Sequence, residues 1–298
     1  MQEVATPLAA PYRANLGDAD VAAVSRALTA AGAAVVATHW LNPGIACDVV
    51  FPGADRRAAA ADLARRFEAA PFDLVVQRRP GRRKDLLVAD MDATTIGQET
   101  LDVLAAVAGI ADRIAPITER AMNGEIGFAD ALRARVALFA GLHVSALEAA
   151  FDRLTLTPGA RTLVQTMRAH GAYTVLVSGG FTYFTGRVRS AAGFDRDIAN
   201  LLGMDGDNLD GTVSGPVMGP DAKREALLRV GAERHIPMKD ALAVGDGAND
   251  IPMLQAAGLG VAFHPKPVVA AAVDVRLRHA DLTGLLYLQG YSVQEFRA

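Results

Sequence analysis

The sequence predicts an α/β protein. Its main part is a parallel sheet with helices on both faces and a helical cap inserted after the first strand. A small N-terminal α+β unit precedes it. Three observations carry this. From Asp85 onward, short apolar runs alternate with stretches of helical spacing, the signature of a parallel sheet with crossover helices. Directly after the first of those runs, residues 97–155 read as almost wholly helical. The first 80 residues have another rhythm, in the order βαββαβ.

In the N-terminal part, a weak first strand precedes a helix over 18–31, where Val21, Val24, Leu28 and Ala31 share one face and Asp18 is the candidate cap. Strands follow over 34–40 and 45–51, split by the turn signal Asn42-Pro43-Gly44. A second helix is expected over 56–69 and a last strand over 72–77. This order is similar to that of ACT-type regulatory domains, a fold associated with amino-acid sensing. The expected boundary puts 1–80 in this unit, regulatory or oligomerising, and 81–298 in the larger one. Arg78-Arg79-Pro80-Gly81-Arg82-Arg83-Lys84 between them reads as a solvated linker. Its Pro-Gly break and lack of aromatic residues argue against a nucleic-acid patch.

In the larger unit, strands are expected over 86–89, 174–177, 241–244, 260–263 and 273–276, with helices over 182–192, 221–234, 250–257 and 282–289. Helices over 100–108, 113–122 and 128–140 would form the cap. Composition bounds the function. The chain has 298 residues, 51 % of them apolar and 21 % charged, enough for about two domains with a sizeable core. A formal net charge of −3 argues against nucleic acid as a partner. No apolar run reaches the roughly 18 residues that span a bilayer, so no membrane partner is expected. The N-terminus lacks the pattern of a secretory signal, which makes the cytoplasm the expected location. A single cysteine, Cys47, excludes an internal disulfide and is expected to be a buried, inert thiol. A homodimer is one assembly open to the chain.

Four fragments carry candidate chemistry. Asp90 and Asp92 close the first apolar run, and alternate residues of an extended segment face the same way. Ser178, Gly179 and Gly180 follow the second run and offer a hydroxyl and open backbone N–H groups to a phosphate. Lys223 opens a helix. Asp246, Asn249 and Asp250 lie in a glycine-spaced turn that suits a hard cation. Each fragment alone also reads as ordinary structure: a polar strand end, a helix cap, a solvated lysine, a tight turn. Together they imply more. A phosphomonoester near three aspartates would be repelled, and Lys223 alone cannot offset that charge. A divalent cation is therefore required, and oxygen ligands favour magnesium over zinc.

As an ordered set, these motifs resemble the haloacid dehalogenase superfamily and, within it, the phosphoserine phosphatase family. Asp90 to Thr94 matches the D-x-D-x-T motif, Ser178 the serine motif, Lys223 the lysine, and Gly245 to Asp250 the acidic motif. The resemblance covers roughly residues 85–290 and implies a Rossmann-like core. In the cap, Glu99 matches the family's glutamate for the substrate amine and Arg135 its arginine for the substrate carboxylate. Met122 and Phe128 match apolar cap positions. The stretch 262–267 adds further family-like wording. One departure is Ala93, where the family usually has serine. The resemblance implies Asp90 as nucleophile, Asp92 as general acid and base, and Mg2+ on Asp90, the Asp92 carbonyl and Asp246. It places Ser178, Gly179, Lys223 and Asn249 on the substrate, with Thr94, Gly180 and Asp250 in support. The implied reaction is hydrolysis of O-phospho-L-serine, the last step of serine synthesis. Phosphohomoserine, phosphoethanolamine, or a non-catalytic amino-acid sensor are the competing readings. A dinucleotide-dependent oxidoreductase is weaker, because the first strand leads into Asp-Met-Asp rather than a glycine-rich loop.

Overall fold

A computed structural model describes residues 2–11, 15–53, 55–122 and 125–298, with Met122 described by its backbone alone. The N-terminal order is the expected one: β1 (Gln2–Ala9), α1 (Asp18–Ala30), β2 (Ala37–Asn42), β3 (Ala46–Pro52), α2 (Arg56–Arg66) and β4 (Phe72–Arg78). The strands form an antiparallel sheet in the order β2-β3-β1-β4. Asp18 is not the helix cap. Gly17 holds that position, and its N–H donates to the Asp20 carboxylate at 2.9 Å. Strand β2 starts three residues later than expected, and α2 ends at Arg66. Asp55, unassigned in the sequence reading, caps α2 by accepting from the N–H groups of Arg57 and Ala58.

Both faces of this sheet are covered, which explains why β1 and β3 are buried almost throughout. One face, with Ala5, Cys47, Val49 and Phe51, packs on Val24, Leu28 and Leu63 of the two helices. The other face carries Leu8, Ala46 and Val75, which join the core of the larger unit. Its polar residues make buried bonds across the junction. The Gln77 side chain donates to the Leu288 carbonyl, and Asn42 donates to the Tyr287 hydroxyl.

The expected linker is solvated only in part: Arg78, Pro80, Gly81 and Arg83 are exposed, but its other cations are not free. Arg82 is nearly buried and forms a bidentate pair with Asp48, whose side chain is 2 % exposed. Lys84 is buried and donates to the carbonyls of Gly81 and Lys239. Arg83 stacks on the Tyr291 ring and reaches Glu295. Buried charge is tolerated only when paired, and apart from Gly81 the partners lie far away in sequence.

The larger unit begins with β5 (Leu86–Asp90) and the inserted helices α3 (Thr100–Val107), α4 (Ala111–Met122), α5 (Phe128–Ala137) and α6 (Ser145–Phe151). The chain returns through α7 (Ala160–Ala169), β6 (Tyr173–Phe181), α8 (Thr182–Ala192), β7 (Arg196–Asp205) and β8 (Asn208–Ser214). It ends with α9 (Pro220–Glu233), β9 (Ala241–Gly245), α10 (Ile251–Ala256), β10 (Leu259–Phe263), α11 (Pro267–Ala272), β11 (Val275–Leu277) and α12 (Gly284–Leu288). The seven-stranded sheet runs β11-β10-β9-β5-β6-β7-β8 and is parallel except for β8, which is antiparallel to β7. Alternation along β5 feeds two cores: Leu87 and Ala89 face one, Leu86 and Val88 the other. The chain moves outward from β5 on one side, then restarts beside it at β9. That is a topological switch point, where a crevice opens beyond the carboxyl ends of the strands.

The cap leaves and rejoins the sheet through a two-stranded stem. Gly97 donates to the Thr155 carbonyl and Thr157 to that of Thr95, beside an Ile96–Leu156 bridge. The β7–β8 hairpin, unforeseen in the sequence reading, braces the cap from the far side. Gly141 donates to Leu209, Leu209 to Leu142, and Val144 to Asp207.

Candidate active site

Asp90 ends β5, between β6 and β9, and is 4 % exposed. Its backbone carbonyl accepts from the Thr95 hydroxyl at 2.5 Å, and Ile96 donates to the Met91 carbonyl to close a tight turn. Asp92 stays extended, at φ −67° and ψ 137°, and the chain reverses at Ala93, whose φ is +50°. The departure from serine therefore falls on a left-handed residue, a conformation costing about 1–2 kcal/mol for a non-glycine side chain. Ser178 lies inside β6 rather than beyond its end. The strand is irregular between Val177 and Phe181, because Phe181 regains the pairing with Asn200 across the two glycines.

Lys223, fully buried, ties the first fragment to the last. Its ammonium donates to Asp90 Oδ1 at 2.6 Å and to Asp250 Oδ1 at 2.7 Å. Burial alone would lower its pKa, but the Asp250 and Asp90 charges reverse this and hold it above the usual lysine range. Asp250 also accepts from the Gly247 N–H at 3.1 Å. Gly245 is required here, since a Cβ at that position would lie 2.4 Å from the Asp250 Cγ. Thr94 donates to Asp246 at 3.4 Å. The Asp92 carboxylate points the other way, accepting from the Thr100 N–H at 2.6 Å and the Ser178 hydroxyl at 3.1 Å. Gly180 in turn donates to Ser178 Oγ at 2.8 Å. Asn249 sits half-buried in the acidic turn, and Gly179 lies close under Phe128.

The cap supplies Glu99 and Arg135 to the same crevice. Burial lowers the Arg135 pKa, opposed by the charges of Asp102, Glu99 and Asp92. Among the described residues, Glu99 and Arg135 make no direct pair. The Met122 side chain lies outside the described residues. Three residues outside the motifs also shape this site. Lys266 lies 3.4 Å from Glu99 and 3.5 Å from Asp246. Asn200, buried, donates to the Gly179 carbonyl and accepts from the Met218 N–H, fixing the glycine segment. Thr100 offers its backbone N–H to Asp92. Of these, only Lys266 had a signal, within the 262–267 stretch.

Asp90, Asp246 and Asp250 place carboxylate oxygens within 4.8 Å of one another, all buried. Burial, then the Asp250 charge, pushes Asp90 well above the carboxylate range, and burial pushes Asp246 up to about 6. Lys223 and the half-exposed Lys266 leave such a cluster under-neutralised. Hard oxygen donors with no His or Cys in the cluster suit a small divalent cation. Beside it, the Ser178 hydroxyl, on turning from Asp92, offers a donor to an oxyanion. The set offers a phosphate group a place between the Asp90 and Asp92 carboxyl groups.

This core and site define a class, and sequence comparison agrees: residues 87–255 match the family model of haloacid dehalogenase-like hydrolases. The chain belongs to that family. Within it, the chain is 39 % identical to the phosphoserine phosphatase of Streptomyces coelicolor over 263 residues, covering 88 % of this chain and 60 % of that one. It is 40 % identical to the phosphoserine phosphatase of Lactococcus lactis over 203 residues, 68 % of this chain and 94 % of that one. The crystal structure of a probable phosphoserine phosphatase from Vibrio cholerae, unliganded, superposes with a TM-score of 0.78 at 29 % identity, covering 99 % of this chain and 88 % of that one. The chain spans less than two thirds of the Streptomyces relative's length.

Proposed function

We propose that this chain is a magnesium-dependent phosphatase that hydrolyses O-phospho-L-serine to L-serine and phosphate. The observation that carries the reading is the buried Asp90–Lys223–Asp250 triad set beside the Asp92–Ser178 pair at the switch point, beneath a cap bearing Glu99 and Arg135. The similar proteins named phosphoserine phosphatase support the substrate.

In this reading the Asp90 carboxylate attacks phosphorus while the bond to the serine oxygen breaks. Lys223 opposes the burial-driven rise in the Asp90 pKa and holds the carboxylate in place. Burial raises the Asp92 pKa, which favours a protonated carboxyl able to give its proton to the departing oxygen. Asp92 then takes a proton from water, which attacks the aspartyl-phosphate and frees phosphate. Ser178, Gly179 and Asn249 contact substrate oxygens, with Gly180 and Thr94 supporting the loops. Asp90, the Asp92 backbone carbonyl and Asp246 would hold magnesium, with Asp250 anchoring Lys223. When bound, magnesium supplies the positive charge that lets a phosphate dianion approach these carboxylates. Glu99 pairs with the substrate amine and Arg135 with its carboxylate.

The division into an ACT-like unit over 1–80 and a phosphatase over 81–298, a paired assembly, and a cytoplasmic location belong to the same reading. Among the described residues no helix is long and apolar enough to cross a membrane. The test is phosphate release from phosphoserine, phosphohomoserine, phosphoethanolamine and an aryl phosphate, with magnesium and with a chelator. Preferred release from phosphoserine, lost in chelator, is expected. Preference for another ester would move the substrate, and no release from any would overturn the reading.

A further inference from the structure

A continuous set of bonds runs from the N-terminal sheet to the crevice. Asp73, on β4, is 5 % exposed. Its carboxylate accepts from three consecutive backbone N–H groups of the larger unit: Arg278 at 2.7 Å, His279 at 3.0 Å and Ala280 at 2.9 Å. Carboxylates held by several backbone N–H groups are strongly fixed. The same loop grips His264 from two sides. The His264 N–H donates to the Leu277 carbonyl at 2.7 Å, and its Nε2 lies 3.0 Å from the Ala280 carbonyl. A carbonyl only accepts, so Nε2 carries the proton there. His264 has a φ of +42°, a left-handed conformation that a non-glycine residue holds only where its surroundings fix it.

Two residues on stands Lys266. Its N–H donates to the Asp246 carbonyl at 3.2 Å, and its ammonium bridges Glu99 of the cap and Asp246 of the core. The Lys266 side chain is 50 % exposed. An ion pair at that exposure contributes little by itself. The placement of Lys266 therefore depends on the backbone that carries it.

We infer that Lys266 is a positioning residue for Glu99 and Asp246, and that Asp73 of the N-terminal sheet holds it in register through the 277–280 loop and His264. The N-terminal unit thereby completes the site instead of merely adjoining it. The kinetic part of the inference rests on the proposed phosphoserine reading, because Glu99 matters only for a substrate with an amine.

The test uses the full chain with Lys266→Met, Asp73→Asn and the double variant. Asp73→Asn keeps the volume and one acceptor oxygen, so the fold survives. Hydrogen exchange is read first. Asp73→Asn is expected to speed exchange over 278–280 and also over 264–266. Faster exchange confined to 278–280 overturns the path, whatever the substrate. Kinetics come second, with kcat and KM on phosphoserine and on an aryl phosphate that lacks the amine. Both single variants should raise KM for phosphoserine relative to the aryl ester, by roughly three- to thirtyfold. The double variant should match Lys266→Met alone. A lower melting temperature with an unchanged substrate ratio, or additive losses in the double variant, would make Asp73 purely structural. A wild-type chain inactive on phosphoserine would remove the proposed substrate, and the exchange result would then decide the path by itself.

Discussion

Lys223→Met removes the one cation that, among the described residues, the buried Asp90 and Asp250 carboxylates share, at 2.6 and 2.7 Å. All three side chains are almost wholly excluded from water. Breaking a buried pair by deleting one partner leaves uncompensated charge and costs about 3–5 kcal/mol. Methionine fills most of the lysine stem's volume, so the loss reports charge rather than a cavity. The assay is urea unfolding in chelator at pH 7.5. The pH dependence has a definite sign. Burial already raises Asp90, and loss of Lys223 raises it further, so the carboxyl becomes neutral more readily as pH falls. The penalty is therefore largest at high pH and shrinks on acidification. Added magnesium should recover part of it by taking over the unpaired carboxylates. Adding Asp250→Asn to the variant should recover part as well. A variant within about 0.5 kcal/mol of the wild type in chelator at pH 7.5 would refute the reasoning.

Asp90→Asn should leave the urea midpoint near or above the wild type in chelator, since a buried carboxylate is removed, yet lower phosphate release by at least about 10⁴-fold, the loss of a nucleophile. Release within tenfold of the wild type would exclude Asp90 from that role. Arg135→Ala should reduce kcat/KM on phosphoserine at least about a hundredfold, the order of a lost charged contact, and spare an aryl phosphate; equal losses on both esters would contradict its assignment to the carboxylate. Burial pushes Asp246 up to about 6, so protons compete with the cation below that pH. The magnesium concentration for half-maximal thermal stabilisation should then rise about tenfold per pH unit below about 6. A flat profile between pH 5 and 7.5 would argue against Asp246 as a ligand.

Much of the sheet was legible because parallel strands are buried on both faces and read as unbroken apolar runs. Leu86 to Ala89 and Ala241 to Val244 are of this kind, and both sit centrally in the sheet. Helix α8 was predicted at its observed bounds, Thr182–Ala192. The hairpin β7–β8 was missed because its strands are mostly wet and carry no such run. The one available signal was the Gly206-Asp207 turn, with Gly206 at φ +59°. The Asp90, Ser178 and Asp246 fragments were readable since each follows an apolar strand run, where local sequence decides which side chains meet the crevice; Lys223 instead opens a helix. What joins them was not. Arg82 and Lys84 read as solvated linker charges, yet Arg82 pairs with Asp48 of the N-terminal sheet and Lys84 with the distant Lys239 carbonyl. Asp73 shows the same blindness most clearly. Its partners are backbone N–H groups some two hundred residues away, and backbone groups leave no mark in a sequence.

The most direct test of the account is to quench the full chain during turnover of phosphoserine labelled on phosphorus, with magnesium present, and map the label by peptide. The account predicts a hydroxylamine-sensitive label on the peptide containing Asp90, absent in Asp90→Asn and accumulating in a variant whose Asp92 cannot activate water. Label on another residue, or turnover with no covalent label at all, would contradict it.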